Sequence, residues 1–277
     1  MSTLSVNVSD GIATITMNRP KSFNAITVED YDAFANALRE IDRRDDVLVT
    51  VWQATGKWFC AGTDVMGRSL PNIGPQTETS LPTDNNLRDM FLKRIAHTTT
   101  DCGQALYSHS KILVAALNGP VMGIAAAFLG YFDFIFAVAD AWLSVPFTFL
   151  GIISEGGSSV SFINRMGPAR ANEVLIWGKK KTAQELVACN FINEIFPSKS
   201  AEEFHADVLA HLKQQLEGLD PAAVLAVKKL LRAGLNEKND PNAVNLRESY
   251  AQAERFASGV PERQFGRIAR KEIRHKL

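Results

Sequence analysis

Cysteine is scarce in this 277-residue sequence, and no two cysteines have the spacing of a metal site or a redox motif. Cys60, Cys102 and Cys189 are an odd number without a C-x-x-C pattern, which argues against a disulfide framework and against a cysteine zinc site. The five histidines show no metal-binding pattern either. We therefore expect a protein of a reducing compartment that binds no metal ion.

An excess of charge of one sign is also absent. Thirty basic side chains balance thirty acidic ones, and only residues 263–276 are distinctly basic. This balance argues against a dedicated nucleic-acid-binding protein. The first ten residues are polar and lack the apolar segment of a secretory signal, and no stretch approaches the roughly 18 apolar residues that span a bilayer. We expect neither a nucleic-acid partner nor a membrane span.

Hydrophobic patterning predicts an α/β core followed by a helical region. Alternating or continuous apolar runs predict strands within residues 6–17, 47–52 and 112–117, and segments with helical periodicity lie between them. The last third of the sequence has helical periodicity throughout, with prolines at the start of successive segments. We therefore predict an α/β core over residues 1–198 and a helical region over residues 199–277.

Residues 66–86 differ from their surroundings. They are rich in Pro, Gly, Ser, Thr and Asn, and their apolar residues follow no period. Such a composition predicts a long surface loop, and loops of this length are often found over or near a functional site.

One carboxylate stands in an unusual setting within L-G-I-I-S-E-G-G, residues 150–157. Glu155 follows an apolar run and precedes two glycines. One interpretation is a helix start, with Ser154 as N-cap and Glu155 in the first turn, where the helix dipole favours an anion. The other is an acid–base residue that a substrate approaches closely. The motif alone does not decide between them.

Two glycine-containing turns follow predicted strands earlier in the chain. They are F-C-A-G-T-D at residues 59–64 and N-G-P-V-M-G-I at residues 118–124. Turns of this kind can bring backbone N–H groups to a strand end or a helix N-terminus, where they stabilise a developing negative charge. Each turn alone is also compatible with a purely structural role.

The order of the three motifs, F-x-A-G-x-D, N-G-P-x-x-G and L-G-I-x-x-E-G-G, resembles the crotonase superfamily of enoyl-CoA hydratases and isomerases. The resemblance extends over most of the chain. It implies a spiral of ββα units, with C-terminal helices that assemble homotrimers or dimers of trimers. It also implies an acyl-CoA substrate whose thioester oxygen is held by two backbone N–H groups as it becomes an enolate. Coenzyme A would enter as part of the substrate, and no cofactor is expected.

By position within the motifs, the resemblance assigns the two N–H donors to Thr63 and Ile124. The family commonly has Ala where this sequence has Thr63. The branched side chain of Thr63 is expected to narrow the space for the thioester oxygen between the two donors. Asp64 is expected to shape the loop. The residues expected to line the path of the substrate are Ala61, Gly62, Thr63, Asp64, Val65 and Ile124.

The carboxylates point to one reaction of the family. Hydratases use two glutamates, and the corresponding positions here hold Ala127 and Phe147. Dienoyl-CoA isomerases also need carboxylates, and no residues of this sequence can be assigned to those positions. Glu155 remains, in an I-x-E-G-G context similar to the fungal peroxisomal 3-enoyl-CoA isomerases. The resemblance therefore implies a single-glutamate isomerase of β-oxidation that converts 3-enoyl-CoA to trans-2-enoyl-CoA.

The apolar neighbours of Glu155 predict that desolvation raises its pKa, whereas a position at a helix start would lower it. These neighbours are Phe147, Phe149, Leu150 and Ile153.

The C-terminal tripeptide His275-Lys276-Leu277 resembles the Ser-Lys-Leu peroxisomal signal, which an import receptor reads. We therefore expect a location in the peroxisomal matrix. Two other functions stay open at this point. One is a non-catalytic acyl-CoA-binding protein on the same fold, and the other is a crotonase acting on an unusual acyl-CoA in secondary metabolism, to which Thr63 would be a clue.

Overall fold

A six-stranded sheet forms the centre of the computed structural model, which describes residues 3–64, 84–197 and 200–275. The strand order is β1-β2-β3-β4-β6-β9; the first pair is antiparallel and the others are parallel. A smaller sheet has the order β5-β7-β8. The strands are β1 (Leu4–Ser9), β2 (Ile12–Met17), β3 (Val49–Ala54), β4 (Ile112–Leu117), β5 (Val121–Met122), β6 (Phe134–Val138), β7 (Trp142–Ser144), β8 (Lys181–Thr182) and β9 (Glu194–Phe196).

Ten α-helices cover this framework in the described part of the chain. They are α1 (Val28–Asp42), α2 (Asp84–Met90), α3 (Asp101–Ser108), α4 (Gly123–Phe128), α5 (Ser158–Leu175), α6 (Ala183–Ala188), α7 (Ala201–Leu216), α8 (Pro221–Lys238), α9 (Pro241–Ala257) and α10 (Val260–Ala269). A π-helical segment, Phe91–Thr100, joins α2 to α3. None of the described helices is long and apolar enough to cross a membrane.

Burial follows the apolar pattern of the sequence. Every residue of β4 (ILVAAL) is buried, as expected for a parallel strand covered on both faces. Helix α1 begins directly after Thr27, because Thr27 and Asp30 form a reciprocal capping box. In the C-terminal region, α7 places Phe204 and Val208 in the same hydrophobic core as the strands. The helical region thus packs directly on the sheet.

The interpretation of Ser154 as a helix N-cap, one of the two left open above, is wrong. Helix α5 begins at Ser158 with Gly157 at the N-cap, and Glu155 lies in the non-helical segment before it. The cause is backbone conformation: Gly156 (φ 63°) and Gly157 (φ 76°) both adopt the left-handed region, so an α-helix cannot run through them. A Cβ at Gly157 would also lie 1.8 Å from the Tyr131 hydroxyl.

The predicted loop over residues 66–86 lies mostly outside the described residues. Its last three residues, 84–86, form the first turn of α2, so the predicted loop is too long at this end. Val65, Lys276 and Leu277 also lie outside the described residues.

Candidate active site

Glu155 is buried beside a helix of the C-terminal region. Its side chain is only 7% exposed, and its Oε2 accepts a 3.1 Å hydrogen bond from Nε2 of Gln252 on α9. Gln252 is fully buried, and its Oε1 accepts a hydrogen bond of 3.2 Å from the Ile153 N–H. One amide side chain therefore links α9 both to the Glu155 carboxylate and to the backbone two residues before it.

Burial dominates the ionisation of Glu155. The pKa of this carboxyl is raised to about 7, chiefly by desolvation. The Gln252 hydrogen bond and Arg94 lower the pKa, and the charge of Glu248 raises it. Of the two opposing effects that the sequence suggests, desolvation therefore prevails. A carboxyl with a pKa near 7 is well matched to a proton-transfer role at neutral pH.

The N-terminus of α5 binds Glu248 rather than Glu155. Oε2 of Glu248 accepts a 2.6 Å hydrogen bond from the Gly157 N–H, and Oε1 accepts one of 2.9 Å from the Ser159 N–H. These are first-turn donors that lack intrahelical partners, and an anion is favoured there. The dipole of α5 therefore stabilises the charge of Glu248. Because the dipole does not act on Glu155 in this way, it does not lower the pKa of Glu155.

The segment around Thr63 exposes one edge of its backbone. The Ile26 N–H donates to the Gly62 carbonyl (2.8 Å), and the Asp64 N–H donates to the Ile26 carbonyl (2.9 Å). Because the C=O and N–H groups of one trans peptide point in opposite directions, the Thr63 N–H points away from Ile26. That orientation agrees with a role as an anion donor.

Ile124 is the second residue of α4, so its N–H also lies in a first helical turn without an intrahelical partner. The residue before the helix, Met122, provides no side-chain cap. The Thr63 and Ile124 segments lie close together. A Cβ at Gly62 would stand 3.2 Å from the Met122 carbonyl oxygen, so this approach favours a residue without a side chain. The N–H groups of Thr63 and Ile124 therefore belong to two adjacent segments, one of which is a helix N-terminus.

Glu155 belongs to the same region of the protein as these two segments. Its neighbour Gly156 packs on α4, where an added Cβ would lie 3.0 Å from Cδ1 of Ile124. The hydroxyl of Tyr31 lies 2.6 Å from Oγ1 of Thr63. Burial raises the pKa of Tyr31 well above its ordinary value, and the nearby charge of Glu155 adds to this shift. The structure therefore brings Glu155, Thr63 and Ile124 together.

The remaining predicted site residues fall into three groups. Ala61 donates its N–H to the Phe23 carbonyl (3.0 Å) and lies in the same segment as Gly62 and Thr63. Asp64 forms a 2.9 Å ion pair with Arg19, which agrees with the expectation that it shapes the loop. Val65 is outside the described residues.

The two positions that the resemblance assigns to the hydratase glutamates are apolar and buried in the structure. Ala127 is fully buried and Phe147 is 1% exposed. Within residues 3–64, 84–197 and 200–275, no group of three or more His, Cys, Asp or Glu side chains could hold a metal ion.

Sequence reasoning missed the contribution of the C-terminal helices and of the π-helical segment to this site. The missed residues around Glu155 are Tyr31, Arg94, Glu248 and Gln252. A signal for two of them is present in the sequence. Helix α9 carries Val244, Glu248 and Gln252 at i, i+4 and i+8, so the three side chains lie on one face of the helix. All three are buried, although two of them are polar. Buried polar residues at such positions indicate specific partners.

The chain is similar to known acyl-CoA-converting proteins. A family model described as enoyl-CoA hydratase/isomerase matches residues 7–262. A Delta(3,5)-Delta(2,4)-dienoyl-CoA isomerase of Pyricularia oryzae is 35% identical, over 96% of each chain. A 3,2-trans-enoyl-CoA isomerase of Saccharomyces cerevisiae is 31% identical, over 95% of this chain and 92% of the other. A peroxisomal enoyl-CoA delta isomerase 3 of Mus musculus is 32% identical, over 96% of this chain and 76% of the other.

Solved structures share the architecture. An enoyl-CoA hydratase/isomerase from Pseudoalteromonas atlantica superimposes with a TM-score of 0.82 over the whole of both chains, at 24% identity. The predicted α/β fold with its C-terminal helices is confirmed by this likeness and by the family match.

Proposed function

The chain belongs to the enoyl-CoA hydratase/isomerase family, and we propose that it moves the double bond of a 3-enoyl-CoA to the trans-2 position in the β-oxidation of unsaturated fatty acids. The observation that carries this proposal is a buried carboxylate, Glu155, close to the segments of Thr63 and Ile124. Glu155 has a pKa raised to about 7, and the hydratase positions Ala127 and Phe147 hold no acid. A reaction that needs one proton-transfer group and no activated water fits this arrangement.

The first step removes a proton from C2 of the substrate. That proton is acidified by the thioester and by the adjacent C3=C4 double bond. The C2–H bonding pair forms a C1=C2 double bond, and the carbonyl π pair moves onto the thioester oxygen. The N–H groups of Thr63 and Ile124 stabilise the resulting dienolate oxygen. One oxyanion donor of this kind typically contributes about 3–4 kcal/mol.

The second step returns the proton at C4. The O–H bond of the protonated Glu155 breaks, a C4–H bond forms, and the double bond settles between C2 and C3. The thioester carbonyl is regenerated, so atoms and charge balance without a cofactor. One carboxyl group suffices because C2 and C4 lie on the same face of a bent acyl chain. A positioned acid–base group typically contributes about 10²–10⁴-fold in rate.

A dienoyl-CoA isomerase is the second candidate, favoured by the 35% identity to the Pyricularia oryzae protein. That reaction carries a proton from C2 to C6, over a longer distance than the C2-to-C4 shift. The second carboxylate near Glu155 is Glu248, whose two oxygens are both engaged by backbone N–H groups of α5. This engagement favours the one-carboxylate reaction over a two-carboxylate relay.

The experiment offers 3-hexenoyl-CoA and 3,5-octadienoyl-CoA separately to the wild type, to Glu155→Gln and to Glu254→Gln. Glu254 is an exposed carboxylate on α9 and serves as the matched control. We expect the wild type to form the 2-enoyl product from 3-hexenoyl-CoA. The rate of this reaction should be unchanged in the control Glu254→Gln and at least 10²-fold lower in Glu155→Gln. Turnover of the dienoyl substrate alone would favour the second candidate. If the protein converts neither substrate but binds acyl-CoA tightly, a non-catalytic acyl-CoA-binding protein is favoured. If it converts another acyl-CoA in preference to these two, a role in secondary metabolism is favoured.

We also propose that the protein forms a homotrimer or a dimer of trimers through α8. Among the side chains of this 18-residue helix only Lys228 is classed as buried. Its exposed stripe includes Val227 (54%), Leu230 (73%) and Leu231 (66%). Adjacent leucines exposed to this degree are characteristic of a surface that a second copy of the chain covers.

The proposed location is the peroxisomal matrix, with the import receptor as a transient partner. The relatives include a peroxisomal isomerase, and the sequence ends in His275-Lys276-Leu277. A fluorescent protein fused to the N-terminus, with and without Leu277, tests this location. We expect punctate peroxisomal fluorescence for the intact chain and diffuse fluorescence after the deletion. An unchanged distribution would mean that the tripeptide is not the signal.

A further inference from the structure

Helix α9 holds the backbone on both sides of Glu155. The side chains of Glu248, Gln252 and Arg255 contact four backbone groups of the 151–159 segment. Glu248 accepts from the N–H groups of Gly157 and Ser159, Gln252 accepts from the Ile153 N–H, and Arg255 donates to the Gly151 carbonyl at 2.7 Å. Among these three side chains, Gln252 also hydrogen-bonds the Glu155 carboxylate.

Helix α9 is itself firmly attached to the rest of the protein. Nδ2 of Asn245 donates to the Thr100 carbonyl (2.8 Å), and the Thr100 hydroxyl donates to Oγ of Ser249 (2.8 Å). Asn245 and Ser249 are 1% and 3% exposed. The helix therefore offers Gln252 as a fixed partner for Glu155 rather than as a mobile side chain.

The contacts of Gln252 admit only one orientation of its amide. The carbonyl oxygen must face the Ile153 N–H, and the NH₂ group must face Oε2 of Glu155. The flipped amide would place NH₂ against an N–H donor and a carbonyl oxygen against a carboxylate, so both contacts would become repulsive. Because Gln252 is fully buried, water cannot compensate for such a loss.

We infer that Gln252 is a positioning residue that confines the shuttled proton to Oε1 of Glu155, an inference that rests on the isomerase function proposed above. Oε2 already accepts an N–H donor that cannot itself accept a proton. A proton on Oε2 would compete with that hydrogen bond. The proton taken from C2 therefore resides on Oε1, with Oε2 as the carbonyl oxygen of the acid, and Oε1 is the oxygen that returns it to C4.

This arrangement favours return of the same proton over exchange with solvent. When both oxygens can hold the proton, rotation or transfer between them carries it away from the substrate face. When only Oε1 can hold it, the acid stays in the protonation geometry in which it was formed. Gln252 thus determines which oxygen returns the proton to C4, and its hydrogen bond also lowers the pKa of Glu155.

The test uses 3-hexenoyl-CoA with two deuterium atoms at C2, in ordinary water, and measures the deuterium that appears at C4. The proteins are the wild type, Gln252→Met, Gln252→Glu and the exposed control Glu254→Gln. We expect the wild type and the control to transfer a substantial fraction of deuterium. Gln252→Met, which retains size but loses the donor, is expected to transfer at least threefold less and to lose about 10-fold or more in kcat.

Gln252→Glu keeps the length of the side chain and its acceptor for Ile153, and it safeguards the test if Gln252→Met does not fold. When protonated, the new carboxyl can donate to Glu155, whereas when ionised it repels it. Because Glu155 must be ionised to accept the C2 proton, the active form of this variant holds one proton, on the new carboxyl. We therefore expect its activity to pass through a maximum and to fall at both lower and higher pH, whereas the wild type stays flat above its acid limb, and we expect its deuterium transfer to fall as the pH rises.

The inference is overturned if the wild type isomerises the substrate and either folded variant shows its deuterium transfer and pH profile unchanged. If the wild type does not isomerise 3-hexenoyl-CoA at all, the proposed function fails instead, and the positioning role fails with it.

Discussion

The hydroxyl of Tyr31 and Oγ1 of Thr63 lie 2.6 Å apart in a hydrogen bond that ties the first motif of the site to helix α1. Tyr31 is only 2% exposed, so this hydroxyl has its partner in the protein interior. Side chains leave an extended chain out of the plane that contains the N–H groups. The Thr63 side chain therefore bonds to Tyr31 independently of the direction of its backbone N–H.

We predict that Thr63→Ala lowers stability more than activity. The substitution leaves the buried Tyr31 hydroxyl without this partner, which costs about 1–3 kcal/mol in the free energy of unfolding. The backbone donor persists, so kcat/KM should stay within about fivefold of the wild type, well short of the loss typical of a missing oxyanion donor. Urea denaturation and isomerase assays on the same preparations measure both quantities.

A double-mutant cycle with Tyr31→Phe checks the cause. Because the second substitution removes the stranded hydroxyl, the destabilisations should be less than additive. Additive losses, or a loss of activity above 10²-fold in Thr63→Ala, would contradict the assignment.

The activity should depend on the ionisation of Glu155. In the free enzyme only the carboxylate can accept the C2 proton, and burial raises the pKa of this group to about 7. We predict that kcat/KM for 3-hexenoyl-CoA rises with pH along an acid limb that has its midpoint near 7 and is flat by about pH 8. A midpoint near 4.5, the ordinary value for glutamate, would mean that Glu155 is not desolvated in the working enzyme.

Glu155→Gln should stabilise the protein at alkaline pH. The pKa of Glu155 is raised from 4.5 in the unfolded chain to about 7 in the folded one, so the folded state binds more protons between these values and its stability falls as pH rises through them. The shift corresponds to about 3 kcal/mol. The variant lacks this loss, and its amide oxygen can still accept the Gln252 donor.

We therefore expect the difference in unfolding free energy between Glu155→Gln and the wild type to be near zero at pH 4.5 and to reach up to about 3 kcal/mol at pH 8. Urea denaturation across this range measures it, with Glu254→Gln as the control. A difference that does not vary with pH would refute the proposed origin.

Glu248 should support both the loop and the ionisation balance. Glu248→Gln replaces a carboxylate that accepts two N–H donors at a helix N-terminus by an amide that accepts at one oxygen only. We predict a loss of about 2 kcal/mol in the free energy of unfolding. The charge of Glu248 raises the pKa of Glu155, so its removal should also move the acid limb of kcat/KM to lower pH. Denaturation and pH–rate profiles check the two effects separately.

The sequence reveals the parts of this site that are local and hides those that depend on docking. Thr63, Ile124 and Glu155 each lie within a continuous motif, so the resemblance to the family assigns them position by position. Gln252 meets Glu155 across 97 positions, and its role depends on how α9 packs against the core. Local propensity shows that α9 is a helix and that its buried stripe is partly polar, but not which carboxylate that stripe meets.

The error at Ser154 has a related cause. A serine before an acidic residue has the local signature of an N-cap. The two following glycines adopt positive φ, which delays the helix to Ser158 and frees its N-terminal N–H groups for Glu248. Because that carboxylate comes from 91 positions further along the chain, short-range rules could not identify it.

The exposed stripe of α8 predicts the assembly state. A charge at Leu230, which is 73% exposed in the single chain, would be buried without a partner if this surface lies between subunits. We expect the wild type to have about three or six times the 30.4 kDa mass of one chain in light scattering, and Leu230→Glu to have that of one chain. Circular dichroism should show the monomer to be folded.

The matched control is Asn236→Glu, an exposed position of the same helix that lies about 120° around its axis from Leu230. It introduces the same side chain away from the leucine stripe, so the oligomer should persist. Because Gln252 and Glu155 are contributed by one chain, Leu230→Glu should retain the hydrogen bond between them. If the wild type is a monomer at micromolar concentration, or if Leu230→Glu assembles as well as Asn236→Glu, then α8 is not the surface through which copies of this chain associate.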